Sequence, residues 1–249
     1  MTAATRTSTR PRSLRVLRAE YSKMRNLRIL PLLLFLLLGV SVDLKAPDGD
    51  GWKVLLGGLH AGVCLLAPLL IAVIASRVTE IERAGNGWLL FAASGTTPGQ
   101  LCRVKFLALG VPLAAVCVLW GLCVPMWGAL LGVPAPVPTG RIVAYTASVC
   151  VISLVILALQ LLISLASDNQ LLAVGAGMLG VLLSMIGAMA PTWAQYLTPW
   201  TYYSLVVPMT FAGSDPVYLD APFPGALVLA IAGAVAFTVI TTRLDRKEV

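Results

Sequence analysis

The chain has 249 residues, 58% of them hydrophobic and only 12% charged, and its formal net charge is +7. So much apolar surface with so little charge excludes a disordered chain and an ordinary water-soluble fold. A nucleic-acid partner is excluded as well, because the positive charge gathers at the ends of apolar runs and forms no basic face.

Residues 106–140 carry no formal charge, and neither do 142–167. After the single Asp168 the chain stays uncharged until Asp215. Runs of this kind predict bilayer-spanning helices, because the hydrocarbon core is ~30 Å thick and a helix rises ~1.5 Å per residue. Lipid cannot satisfy exposed backbone groups, so each span must be helical. The expected fold class is all-α: one polytopic transmembrane bundle over 1–249, with six spans at 27–43, 54–76, 104–131, 142–166, 170–190 and 223–242.

The chain opens on a basic segment, 1–28. Within it Leu14, Leu17, Tyr21 and Met24 recur at helical spacing between arginines and lysines. This pattern predicts an amphipathic helix lying in the headgroup layer, against membrane lipid. No small-residue cleavage site follows the apolar run at 32–38, so that run is expected to stay as the first span.

The second span carries a small-residue stripe, Gly57, Ala61, Cys64, Pro68 and Ala72, of the sort that lets helices approach closely in lipid. It also carries His60, the only histidine of the chain. A lone histidine near a span end reads as a packed or interfacial residue before it reads as a ligand.

The segment 77–105 follows. Thr79 and Glu82 make a T-x-x-E capping box, which predicts a helix starting at about Glu80. Trp88, Leu89, Leu90 and Phe91 would form its apolar side, and Ser94, Gly95 and Thr96 would end it. Thr97 then caps a second helix, with Pro98 at its first position and Gln100 closing a second box. A structured hairpin at the membrane surface is expected.

Span three holds Pro112 and Pro125, expected kink sites like Pro68. In span four Thr146, Ser153, Gln160 and Ser164 share a face. That polar stripe either bonds to a neighbouring helix or lines a substrate path. Ser167 and Gln170 make a third box before span five, whose small stripe is Gly177, Gly180, Ser184 and Gly187. The segment 191–222 is dense in aromatic residues and punctuated by prolines. It predicts one or two short re-entrant or interfacial helices; an aromatic belt at the headgroups is the competing reading.

Lys and Arg set the orientation. They crowd residues 1–28, the 77–105 segment and the C-terminal tail, while only Lys45, Lys53 and Arg141 lie on the other side. The positive-inside rule therefore places both termini in the cytoplasm of a cell-membrane protein. The cysteines, Cys64, Cys102, Cys117, Cys123 and Cys150, show no metal-like pairing and read as buried free thiols.

Several chemistries are missing. There is no G-x-x-x-x-G-K-[ST] phosphate loop, no H-E-x-x-H and no G-x-S-x-G. No cofactor or metal is expected, and no enzymatic activity of the chain itself. The predicted interior lacks carboxylates, with Asp43 at the edge of span one, so ion coupling is disfavoured. Any transport needs its energy from another subunit.

The layout has a likeness. A basic N-terminal helix containing Glu20-Tyr21-Ser22-Lys23 precedes span one; the segment after span two runs from Glu80 and Glu82 through glycines and an apolar patch to Pro98, Arg103 and Lys105. Four more spans follow, with a re-entrant stretch before the last. Over nearly its whole length the chain resembles ABC-2-type transporter permeases, and looks most like the small permease subunits of bacterial lantibiotic immunity and antibiotic-export systems. The resemblance implies a separate cytoplasmic ABC ATPase and a second permease subunit, identical or related. It also implies that the 77–103 stretch is the coupling loop, with a helix at 80–91 docking on the ATPase. Glu80, Glu82 and Arg83 would make polar contacts there, and Trp88 and Phe91 would be apolar anchors. Ser153, Gln160 and Ser164 stand as pathway or helix-packing residues. An uncharged pathway suits an apolar or amphipathic cargo such as a lantibiotic, peptide or drug. The alternative is a non-transporting membrane scaffold or sensor that recruits a cytoplasmic partner through the same loop; an intramembrane enzyme ranks last.

Overall fold

The computed structural model describes residues 51–84, 97–133, 136–167, 169–212, 215–219 and 223–246. The predicted first span at 27–43 and the amphipathic stretch at 12–28 lie outside the described residues. So do Trp88 and Phe91.

Five long helices are described: α1 (Gly51–Ala84), α2 (Pro98–Leu130), α3 (Thr139–Ala166), α4 (Gln170–Ile186) and α5 (Phe223–Arg246). A 3-10 turn, Gly187–Met189, extends α4. All five are long and apolar enough to cross a membrane. Their outward faces carry Val111, Leu122, Leu130, Leu179, Leu182, Leu227 and Ile231, each more than half exposed. No water-soluble surface shows apolar area on this scale, so lipid is the solvent these faces fit. The chain is built as a membrane-embedded helical bundle.

The bundle is organised around α3, which packs against α1, α2, α4 and α5. Ile152, Ile156, Leu157 and Leu161 of α3 meet Leu55, Leu56, Leu59 and Ile71 of α1 in one fully buried core. α1 also lies along α4. There the small-residue stripes do what their spacing predicts. A Cβ on Gly177 would overlap the Ala72 methyl, and the Ser184 hydroxyl donates to the Cys64 carbonyl at 2.8 Å. Gly180 makes room for the Trp200 indole and Gly187 for Ser204. Pro68 lies inside α1, and Pro112 and Pro125 inside α2, and both helices run on past them. α2 ends where Gly132 takes a left-handed φ of 69° and the Val133 amide turns back to the Gly128 carbonyl.

Three sequence expectations need correction. Thr79 starts no helix: α1 runs unbroken through it to Ala84, and its hydroxyl donates back to the Ala75 and Ser76 carbonyls. A T-x-x-E pattern marks a start only where the preceding residues leave the helix, and here they do not. Ser167 does not cap α4. Its amide closes α3 on the Ile163 carbonyl, and Asn169, two residues on, accepts from the Leu171 amide at 2.9 Å. Finally, the chain is mostly helical as expected, but the 191–222 segment, where only short helices were expected, also holds one short hairpin. β1 (Met209–Ala212) and β2 (Asp215–Tyr218) pair antiparallel, with Met209 opposite Tyr218 and Ala212 opposite Asp215. Met209 seats this hairpin on Gly57 of α1, where a Cβ would meet its methyl group. The Thr97 start of α2 is as expected: its hydroxyl accepts from the Gln100 amide, with Pro98 at the first position.

Candidate functional site

Two regions carry the polar chemistry. The first is the end of the bundle that brackets the 77–103 stretch. Here α1 keeps Val78 and Thr79 buried, while Arg77, Glu80 and Ile81 on its other side are exposed. Glu82 and Arg83 continue the helix, while their side chains, with Trp88 and Phe91, fall outside what is described. The stretch re-enters the described structure at Thr97. Lys105, about two turns into α2, is fully buried, and its Nζ donates to the Val78 carbonyl of α1 at 3.3 Å. A buried ammonium costs much unless paired, so this bond ties α2 to α1 just inside the point where the two helices separate. Arg103 forms an ion pair with Asp245 of α5 at 2.8 Å.

Arg243 and Arg246 lie on the last turn of α5 beside Asp245, and the opposite end of the bundle holds Arg141 and Lys53. Arg141 Cζ sits 4.4 Å from the centre of the Tyr218 ring and Lys53 Nζ 5.6 Å from it, and Arg141 donates to the Leu219 carbonyl. Described charges therefore segregate to two ends with an apolar slab between. That matches the two-sided partition of Lys and Arg, without saying which side is the cytoplasm.

The second region is a polar seam inside the slab. The Ser153 hydroxyl donates to the Val149 carbonyl at 2.7 Å and accepts from the Tyr203 hydroxyl at 2.8 Å. Serine has one proton and has given it to the helix, so Tyr203 must be the donor. Nearby, His60 Nδ1 lies 3.0 Å from the Tyr145 hydroxyl, and His60 Nε2 lies 3.3 Å from the Cys64 thiol. Trp120 stacks at a tilt on Tyr145, 5.7 Å between ring centres. Between Val63, Cys117, Trp120, Thr146 and Ser153 is a cavity of about 20 Å³, room for one water. Gln160 is fully buried, and neither of its polar atoms has a hydrogen-bond partner among the described residues. Ser164 is buried on the same helix.

The structure thus puts Ser153, Gln160 and Ser164 in the interior of the bundle, and it gives Ser153 a partner from the 191–222 segment. That segment forms two single-turn helices, Thr192–Gln195 and Tyr202–Leu205. The Thr201 hydroxyl donates to the Gln195 carbonyl, and the Gln195 amide to the Ala190 carbonyl. These bonds fold the segment back so that Trp200, Tyr202 and Tyr203 enter the core, while Trp193, Leu197 and Phe211 stay exposed. The aromatic residues are therefore divided between core and surface. The His60–Tyr145 pair and the Thr97–Arg103–Asp245 cluster were not foreseen. Their only sequence signal was a lone histidine inside a span and a carboxylate, Asp245, between the arginines of a basic tail. All five cysteines are free, Cys64, Cys102 and Cys117 buried and Cys123 and Cys150 half-buried.

Compared with known protein families and with curated proteins, the chain matches none of them.

Proposed function

We propose that this chain is the permease subunit of an ATP-driven exporter of the ABC-2 type. It would move an apolar or amphipathic compound, such as a lantibiotic, a peptide or a drug, out of the membrane or cell. In this reading it sits in the cytoplasmic membrane with both termini inside, crosses six times counting 27–43, and pairs with a second permease subunit and a cytoplasmic ABC ATPase.

The observation that carries the reading is the length of α1. Its 34 residues extend about 51 Å, against a hydrocarbon core of ~30 Å. The turns past Ser76 continue a packed span at that end of the bundle, with Val78 and Thr79 still buried on one side and Arg77 and Glu80 exposed on the other. A rigid rod leaving the membrane is what a soluble motor needs in order to push on a span. Glu80, Glu82, Arg83, Trp88 and Phe91 are the proposed contacts. The apolar interior supports an amphipathic cargo over an ion, since among the described residues no carboxylate lies in the slab. The reach of Tyr203 to Ser153 supports a re-entrant role for 191–222. Ser153 lies 14 residues into α3, about 21 Å along its axis. The conformational step would be rocking of packed spans between two arrangements when the ATPase pair closes.

The test is reconstitution. Purified from its native membranes, the chain is expected to carry a nucleotide-hydrolysing subunit. In vesicles the assembly is expected to expel a fluorescent amphipathic peptide only when ATP is supplied. Replacing Glu82 and Trp88 together with alanine should loosen the subunit from the membrane protein. A chain that purifies intact without ATP hydrolysis, from cells showing no ATP-dependent efflux, returns the scaffold or sensor reading instead.

A further inference from the structure

A single carboxylate on the last helix completes the first turn of α2. Asp245 Oδ1 accepts from the Thr97 hydroxyl and from the Gln100 amide, the latter at 3.2 Å. Its Oδ2 accepts from Arg103 Nη2 at 2.8 Å. The first amides of a helix have no partner within it, and the dipole there favours negative charge. Thr97 alone meets this need only loosely, with the Gln100 amide 3.3 Å from its hydroxyl. The charge comes from α5, 145 positions along the chain from Gln100.

The backbones are brought close for this purpose. A Cβ on Gly99 would overlap both the Thr241 carbonyl and the Asp245 carboxylate, so α5 lies on the start of α2 with no side chain between them. Thr241 is fully buried at that contact. One turn and more further in, Phe106 of α2 packs on Phe237 of α5, 5.1 Å between ring centres. Elsewhere α5 is the least enclosed of the five helices, and an apolar groove of about 310 Å³ opens between it, α2 and α3.

We propose that Asp245 is a positioning residue: it locks α5 to the start of α2, so that a displacement arriving at the 77–103 stretch moves both helices as one body. The use of that displacement rests on the exporter reading; the lock itself does not. Separating the helices would leave the Gln100 amide without its charged acceptor and the Arg103 guanidinium without its counter-ion. That double loss opposes independent motion. The ATPase would therefore act on the bundle through α2 and α5 together, and the groove beside α5 would change shape with each stroke.

The experiment uses the full chain in lipid nanodiscs, alone and with its ATPase. In Asp245→Asn, which keeps the size of the side chain, amide exchange over residues 99–103 is expected to quicken about tenfold. Arg103→Gln should quicken it less, and Arg103→Lys, which keeps the cation, should restore the wild-type rate. Unchanged exchange in both Asp245→Asn and Arg103→Gln overturns the lock, with or without an exporter. With the ATPase bound at wild-type level, peptide moved per ATP hydrolysed should fall several-fold in Asp245→Asn and stay at the wild-type ratio in Arg103→Lys. Faster exchange with an unchanged transport ratio overturns the positioning role. If the wild-type assembly moves no peptide at all, the exporter reading fails, and the exchange rates alone decide whether α2 and α5 are locked.

Discussion

The buried hydroxyl pair Ser153–Tyr203 is asymmetric, and the asymmetry has a measurable consequence. Ser153 keeps the Val149 carbonyl if Tyr203 is lost. Tyr203 is fully buried, and the Ser153 hydroxyl is the hydrogen-bond partner of its own. Interhelical hydrogen bonds in membrane proteins contribute about 0.6 kcal/mol on average and up to about 1.7. Tyr203→Phe is expected to cost no more than that. Ser153→Ala should cost more, because it strands a donor in the core. Thermal unfolding of the two variants in mild detergent checks the order; an equal or reversed cost would show that the bond contributes little. Ser153 could be picked from the sequence because a hydroxyl among leucines and isoleucines stands out. Its partner could not, because five other aromatic residues between 193 and 211 were equal candidates.

Among the elements, helix starts were the sharpest contrast between pattern and outcome. Three boxes were visible: one began a helix where expected, one lay inside a helix, and one was two residues early. The stability effects should follow the structure. Asn169→Ala is expected to destabilise by about 1 kcal/mol, the usual cost of an N-cap, and to fray α4. Thr79→Ala should leave the helix content of α1 unchanged, because its hydroxyl caps nothing and only repeats bonds to the preceding turn. Circular dichroism with chemical denaturation separates the two; a loss of helix in Thr79→Ala would restore it as a cap. The hairpin at 209–218 was missed for a physical reason. Its strands are four residues long, include Pro216, and alternate too briefly to show a period of two. Met209 of the hairpin packs on Gly57, a contact between residues 152 positions apart that no local pattern announces.

For the whole molecule, the two charged ends make a topological prediction. In a chain whose five native cysteines are replaced, single cysteines at positions 80 and 243 should resist an impermeant thiol reagent applied to intact cells. Cysteines at 53 and 217 should react with it. Labelling of position 80 from outside would place α1's last turns away from any nucleotide-driven motor and remove the basis of the proposed function. The overall plan was largely legible: each of the five described helices overlies a predicted run, with most ends shifted by a few residues. They differ mainly where α1 gains turns beyond Ser76 and α2 begins before residue 104. Those extra turns are charged or polar, so hydropathy ends the span before the helix ends.

The sequence by itself determined that this chain lives in lipid, roughly where it crosses, and which residues are small enough to let helices touch. These follow from penalties assessed one residue or one turn at a time: the cost of charge in hydrocarbon, and of a backbone group without a partner. Only the tertiary structure decided that Tyr203 finds Ser153 across 50 positions, and that Arg103 finds Asp245 across 142. A polar group in a dry interior must bond to whatever the packing brings within about 3 Å, and no local rule names that neighbour.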